Sequence, residues 1–304
     1  LSRSDWSAYP EPDGELSSVR SSFDERVGEN GIGYQYRKDI SSSALLRLTG
    51  TASLAPSSGA GDYPTMGVNN GTELIDLRGV PSDDERWDGL LANLTSDSLE
   101  MLVARSGSQT ATILDINKPR SREGGNAFGI GTYDGLPSPV MIACTFDASL
   151  ARRAGDFVGE VGLAENINGW YAPTLTVHRS PFGGRNFEYY SEDSVLSGIM
   201  AAYETRGCID NGLICYLKHF AVNDSDTGRN GECRWLTEQA LREIYLKPFE
   251  LAVKTGGANA MMSSVDRIGC IRASGNYSLL TEVLRGEWGF RGSVVSDYYQ
   301  DTAN

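Results

Sequence analysis

Histidine is scarce: the chain has two in 304 residues, His178 and His219. A histidine-based zinc site needs ligands at short, repeated spacings, and two distant histidines do not supply them. The Gly-x-Ser-x-Gly elbow is missing too, so a Ser-His-Asp triad has no usual scaffold. The five cysteines, Cys144, Cys208, Cys215, Cys233 and Cys270, are an odd number without a Cys-x-x-Cys pair. That speaks against a disulfide framework and for free thiols in a reducing, cytoplasmic compartment. Basic residues are outnumbered, 27 against 40 acidic, for a net charge of −13. A chain of that sign repels nucleic acid and anionic membranes. No apolar run reaches the roughly 18 residues that signal a membrane span. No Gly-x-Gly-x-x-Gly follows the first strand candidate, so a dinucleotide fold loses support.

What is plentiful is carboxylate, in a chain with ordinary hydrophobic content for a globular protein. Residues 1–80 are rich in Ser, Gly and Pro with weak periodicity, and read as an arm or linker with little regular structure. From Pro81 the pattern tightens. Asp83, Asp84 and Glu85 load a helix start with acid, and Thr95 reads as an N-cap. Beyond residue 110 strands and helices alternate. The strand candidates are 111–116, 139–145, 171–177, 213–222, 258–265 and 293–296. The helix candidates are 148–161, 192–205, 237–254 and 278–288, with a kink expected at Pro248. Repeated β-α units predict an α/β fold, either a doubly wound sheet or a (β/α)8 barrel. Polar residues cluster just after strand ends, as they do where barrel loops build one site. About six strands are visible, so the barrel is expected to be incomplete in this chain.

Three segments could carry chemistry. In Gly292-Ser293-Val294-Val295-Ser296-Asp297-Tyr298-Tyr299 an apolar strand ends in a carboxylate followed by aromatics. Asp297 there is either an Asp opening a loop or a nucleophile for an anomeric carbon, with Tyr298 as a wall for a sugar ring. In Leu217-Lys218-His219-Phe220-Ala221-Val222-Asn223-Asp224 a Lys-His pair ends a buried strand. Lys218 and His219 are either an ion pair satisfied by Asp224 or donors to sugar hydroxyls. In the segment His178 to Asp193, Arg185 is either one charge of a solvated loop or aimed into the pocket, with Glu188 holding its guanidinium in a bidentate pair.

Together these segments resemble glycoside hydrolase family 3, specifically the barrel domain of its β-glucosidases. The likeness also rests on Leu241-Arg242-Glu243-Ile244-Tyr245-Leu246-Lys247-Pro248-Phe249-Glu250 and Leu284-Arg285-Gly286-Glu287-Trp288-Gly289-Phe290. It covers residues 81–300, and 81–304 is read as the barrel domain, expected to be truncated after the nucleophile strand. The opening Leu1-Ser2-Arg3-Ser4-Asp5-Trp6 resembles the linker of a subgroup whose α/β-sandwich domain precedes the barrel.

The resemblance implies a retaining exo-β-glucosidase with no metal and no cofactor. Its substrate would be a terminal β-D-glucosyl (or xylosyl) residue of a small oligosaccharide or an aryl or alkyl β-glucoside. It puts the nucleophile at Asp297 and sugar contacts at Arg185, Lys218 and His219. The acid/base Glu would come from outside the chain, from a sandwich domain of the same protein.

There are departures. Gly125-Asn126-Ala127 stands where the family has Asp-Gly-Pro, with Glu123 or Asp134 as candidate substitutes. Ser264-Val265-Asp266 stands for Ser-Tyr-Asn, and Asp226 for a common Glu. They keep two alternatives open: a catalytically impaired sugar-binding barrel, and a barrel fragment with no independent activity.

Overall fold

The computed structural model describes residues 65–104, 109–229 and 232–298. Five strands form its main sheet: β1 (Glu123–Gly124), β2 (Gly169–Trp170), β3 (Ile214–Phe220), β4 (Ala260–Ser263) and β5 (Ser293–Ser296). They lie side by side in chain order and every pair is parallel. A doubly wound sheet reverses its order at a switch point. No reversal occurs here, so right-handed crossovers carry each intervening helix to the same face. That is the arrangement of a TIM-like (β/α) barrel, and among the described residues the sheet forms one side of it. The register aligns Ser296 with Ser263 and Ser263 with Phe220, so the three longest strands end together.

Three of the expected strands, 213–222, 258–265 and 293–296, contain β3, β4 and β5. The other three need correction. Residues 139–145 are a helix, Pro139–Cys144, with Met141 N–H donating to the Ser138 Oγ at 3.3 Å. A short apolar run looks the same in a buried helix as in a buried strand; the Ser-Pro start decides for the helix. Residues 111–116 form a tight bend, with Ile113 bridged to Lys118 and a 3-10 turn over Leu114–Ile116. Residues 171–177 are buried and extended but carry one bridge, Thr174 to Lys218, because Pro173 has no N–H to give a ladder.

The helices cover the outer face. Ala148–Ala164 and Ser194–Asp210 are capped by Asp147 and Asp193, whose carboxylates accept the N–H groups of Ser149 and Leu150, and of Val195 and Leu196. Their backbones touch: a Cβ on Gly155 would strike the Glu204 carbonyl, and one on Gly207 would strike the backbone at Arg152 and Asp156. The two helices thus cross where neither has a side chain. Leu217, Met261, Phe249 and Met200 are buried in the core between helices and sheet. Each such side chain contributes about 1.5–3 kcal/mol.

The expected helix 237–254 is broken into Glu238–Ala240, a π-helical turn Leu241–Tyr245 and Lys247–Lys254. Pro248 sits in the first turn of the last piece, where its missing N–H costs nothing, so the disturbance lies before it and not at it. The helix Ser278–Glu287 is π-wound. Thr95 caps Ser96–Ala104 by accepting the Ser98 N–H at 3.2 Å. Of the expected arm, residues 1–64 lie outside the described residues, and 65–80 hold one 3-10 turn, Leu74–Leu77. Leu77 packs with Leu90, Leu94, Ile113 and Ile116 in a small second core.

Candidate active site

Asp297 is the first residue past β5. Its N–H donates to the Ser263 carbonyl at 3.1 Å, which continues the parallel ladder and fixes its backbone. Its side chain is 13% exposed. The Oδ1 accepts the Tyr298 N–H at 2.7 Å. The Oδ2 has no hydrogen-bond partner among the described residues and lies 3.6 Å from the His219 Nε2. Burial pushes this carboxyl above the usual range, while the Tyr298 N–H and the cations Arg229, Arg185 and Lys218 pull against it.

His219 sits near the end of β3 and is 2% exposed. Arg185 Nη1 contacts its Nε2 at 3.1 Å. A guanidinium can only donate, so Nε2 accepts and the ring proton is on Nδ1, which has no partner among the described residues. Burial, then Arg185, Lys218 and Arg229, hold the imidazole well below its ordinary range, so it is neutral at pH 7.

Lys218, 7% exposed, has no ion pair with a described residue. Burial lowers its ammonium to about 8, although Glu188 and Asp297 attract the charge. Among the described residues, Asp224 does not satisfy it: Asp224 feels Arg234 and Arg179 instead, and burial raises its carboxyl.

Arg185 and Glu188 form a two-pronged pair, Nε to Oε1 at 2.9 Å and Nη2 to Oε2 at 2.7 Å. The side chains are 17% and 12% exposed. Glu188 and His219 together take three of the five guanidinium N–H groups, and two remain. His178 helps hold this turn, with its Nε2 2.8 Å from the Asn186 carbonyl oxygen and 3.1 Å from that of Tyr189.

Arg229 was not among the residues singled out from the sequence. It heads the cations acting on Asp297 and pairs with Asp226, Nη1 to Oδ1 at 3.2 Å. Its spacing of three from Asp226, just past the Lys-His strand, was the available signal. Asp226 in turn comes within 3.0 Å of where a Cβ on Gly184 would stand, so Gly184 admits it beside Arg185.

The other candidates are elsewhere or at the edge. Glu123 lies in β1, where its carboxylate accepts the hydroxyls of Tyr216 (2.7 Å), Ser121 (2.6 Å) and Tyr171 (3.1 Å). No contact joins it to Asp297 among the described residues. Asp134 is exposed on the small hairpin of Gly129–Ile130 and Tyr133–Asp134. Tyr298 is 70% exposed. Gly125 has φ +85°, and a Cβ there would come within 2.6 Å of the Gly129 carbonyl oxygen and 2.7 Å of Trp170, so this loop has no room for a carboxylate at that position. Val265 is buried at 2%. Among the described residues no three His, Cys, Asp or Glu side chains converge as metal ligands, and no helix is long and apolar enough to cross a membrane.

Among the described residues the combination is a buried carboxylate with one unpartnered oxygen, a neutral imidazole with one unpartnered N–H, and three cations with spare donors. Leaving a buried polar atom unpaired costs about 1–3 kcal/mol, which a ligand rich in hydroxyls can recover.

The family model described as "Glycosyl hydrolase family 3 N terminal domain" matches residues 107–303. Among curated relatives, beta-glucosidase B of Emericella nidulans is 34% identical over 225 residues, covering 71% of this chain and 27% of the relative. Beta-glucosidase A of Butyrivibrio fibrisolvens is 42% identical over 164 residues, covering 54% and 20%. The chain thus spans about a quarter or less of the length of these relatives. Among solved structures, a beta-glucosidase from Paenibacillus barengoltzii superposes with a TM-score of 0.71 at 32% identity, covering 78% of this chain and 27% of that one. Beta-glucosidase 3B from Thermotoga neapolitana, in complex with glucose, gives 0.65 at 32%, covering 70% and 34%.

Proposed function

Because the chain belongs to glycosyl hydrolase family 3, we propose that it is the nucleophile-bearing part of a retaining exo-β-glucosidase acting on terminal β-D-glucosyl or xylosyl residues. The observation that carries this reading is the Asp297 carboxylate, buried beside His219 at 3.6 Å with its Oδ2 unpartnered.

In the first step Oδ2 attacks the anomeric carbon. The C1–Oδ2 bond forms as the bond to the leaving oxygen breaks, and a Glu outside this chain gives that oxygen a proton. An α/β-sandwich domain of the same protein supplies this Glu. In the second step the same Glu takes a proton from water, which attacks C1 and frees Asp297. Two displacements retain the configuration, and the two carboxyls then stand about 5–5.5 Å apart.

Arg185, Lys218 and His219 Nδ1–H donate to ring hydroxyls. Those bonds fix the sugar with C1 in line with Oδ2, so that the attack starts from an aligned complex. Arg229 joins Arg185 and Lys218 in keeping Asp297 ionised, and Tyr298 forms an apolar wall for the sugar.

Trapping of the full-length protein with a 2-deoxy-2-fluoro-β-glucoside tests the assignment. Mass spectrometry is expected to find the label on Asp297; a label on another residue removes Asp297 from the role. Binding of glucose without turnover of an aryl β-glucoside instead supports a sugar-binding barrel, the reading that the buried Val265 and the carboxylate-free Gly125 loop favour.

A further inference from the structure

Ser225 and Arg234 lie on either side of Asp226 and Arg229 in the sequence, and one side chain joins these two positions. Arg234 Nη2 donates to the Ser225 carbonyl at 3.1 Å. The same guanidinium reaches Asp266 Oδ1 with Nε at 3.2 Å and Nη2 at 3.1 Å, and Glu232 Oε2 at 2.7 Å. Asp266 is itself anchored: its N–H donates to Ser264 Oγ at 3.1 Å, and Ser264 Oγ donates to the Ala221 carbonyl at 2.7 Å, just past the Lys-His strand. Asp266 is fully buried, and its Oδ2 has no hydrogen bond among the described residues. Beside this tie, the short strand Cys233–Arg234 pairs in parallel with Arg267–Ile268. Asp226 and Arg229 directly follow the Ser225 so fastened, and Arg229 is the first of the cations acting on Asp297.

We infer that Arg234 is a positioning residue, which holds Ser225 against Asp266 so that Arg229, four residues on, stays where it acts on Asp297. The inference rests on the reading of Asp297 as nucleophile. Lysine cannot replace Arg234, because a single ammonium lacks the planar fork that spans Asp266 and Ser225 together. The groups acting on Asp297 are Arg229 from the stretch after Ser225, Arg185 from the 185–188 turn, and Lys218 and His219 from β3. Release of Ser225 withdraws the first of these and leaves the rest.

Removing Arg234 alone strands a buried carboxylate at Asp266, which can unfold the protein. The test therefore uses Arg234→Met combined with Asp266→Asn, against Asp266→Asn alone, in the full-length protein. Two readouts are needed: hydrogen exchange across residues 225–229, and the acidic limb of kcat/KM on an aryl β-glucoside. In the double variant exchange is expected to quicken at least tenfold, and the limb to move up by about one pH unit, as the ionised nucleophile loses a nearby cation. Asp266→Asn keeps an acceptor for Arg234 and is expected to resemble the wild type in both. Adding Arg229→Met to the double variant is expected to shift the limb no further. Unchanged exchange overturns the tie, even if the protein proves inactive and the β-glucosidase reading fails. Faster exchange with an unmoved limb overturns the positioning role, as does an Asp266→Asn variant that behaves like the double one.

Discussion

Glu204 and Asp297 are both carboxylates taken largely out of water, and their surroundings differ. Glu204 sits in the helix Ser194–Asp210 at 3% exposure, where the Tyr190 hydroxyl donates to it and no described cation pairs with it. Burial lifts its carboxyl to about 7. Asp297 stands at the ends of the strands, with Arg229, Arg185 and Lys218 acting on it and His219 at contact. Desolvation alone favours the neutral acid; the proposed role of Asp297 needs the anion, and convergent cations make a buried anion tolerable. Burial thus acts on Glu204 unopposed by a described cation, while at Asp297 three cations oppose the same push.

The strongest way to break this comparison is Asp297→Asn, which keeps the shape and removes the charge. Activity of the full-length protein on an aryl β-glucoside is expected to fall on the order of 10³-fold or more, while glucose binding by calorimetry survives. Retained turnover would place the nucleophile elsewhere.

Next is Glu204→Gln. The native carboxyl titrates near 7 and an unfolded one near its ordinary value. Between about pH 4.5 and 7 the unfolded chain therefore releases a proton that the native protein keeps. Stability is full below that window and declines through it, by about 3 kcal/mol in all. The Gln variant is expected to lose this slope, measured as urea midpoints across the window. An unaltered slope would mean that Glu204 is ionised in the folded state.

Arg185→Ala removes a charged donor and leaves Glu188 alone. A loss of about 1.5–3 kcal/mol in transition-state binding is expected, seen in kcat/KM. An effect confined to KM would mean that Arg185 binds the ground state and the transition state alike.

The smallest effect concerns Lys218, whose ammonium is lowered to about 8. The rate is expected to decline on the alkaline side near that pH as the donor and its charge are lost, and Lys218→Met is expected to flatten that limb while lowering the plateau.

The sheet was legible where apolar runs were long and uninterrupted, as in β3, β4 and β5. It was misread at 139–145, where six apolar residues suit helix and strand equally and the Ser138-Pro139 start settles the matter. It was misread again at 171–177, where Pro173 prevents a ladder. Asp297, Lys218 and His219 could be picked out because charge at the end of a buried run is costly without a purpose. Arg229 was not, since a loop arginine three residues from an aspartate resembles an ordinary surface pair. Glu123 was read as a candidate substitute for the missing Asp; that its carboxylate accepts the hydroxyls of Tyr171, Tyr216 and Ser121 could not be seen along the chain, because the two tyrosines are far away in sequence.

Residue order alone determined the strands within 213–222, 258–265 and 293–296, the helix cap at Thr95, and the carboxylate at the end of the last strand. These depend on contacts within a few positions along the chain. Only the tertiary structure decided that Arg185 meets His219, that Arg229 acts on Asp297, and that Arg234 reaches Asp266. Those pairings depend on strand register and loop closure, and a charge has no partner until the fold brings one within a few ångströms.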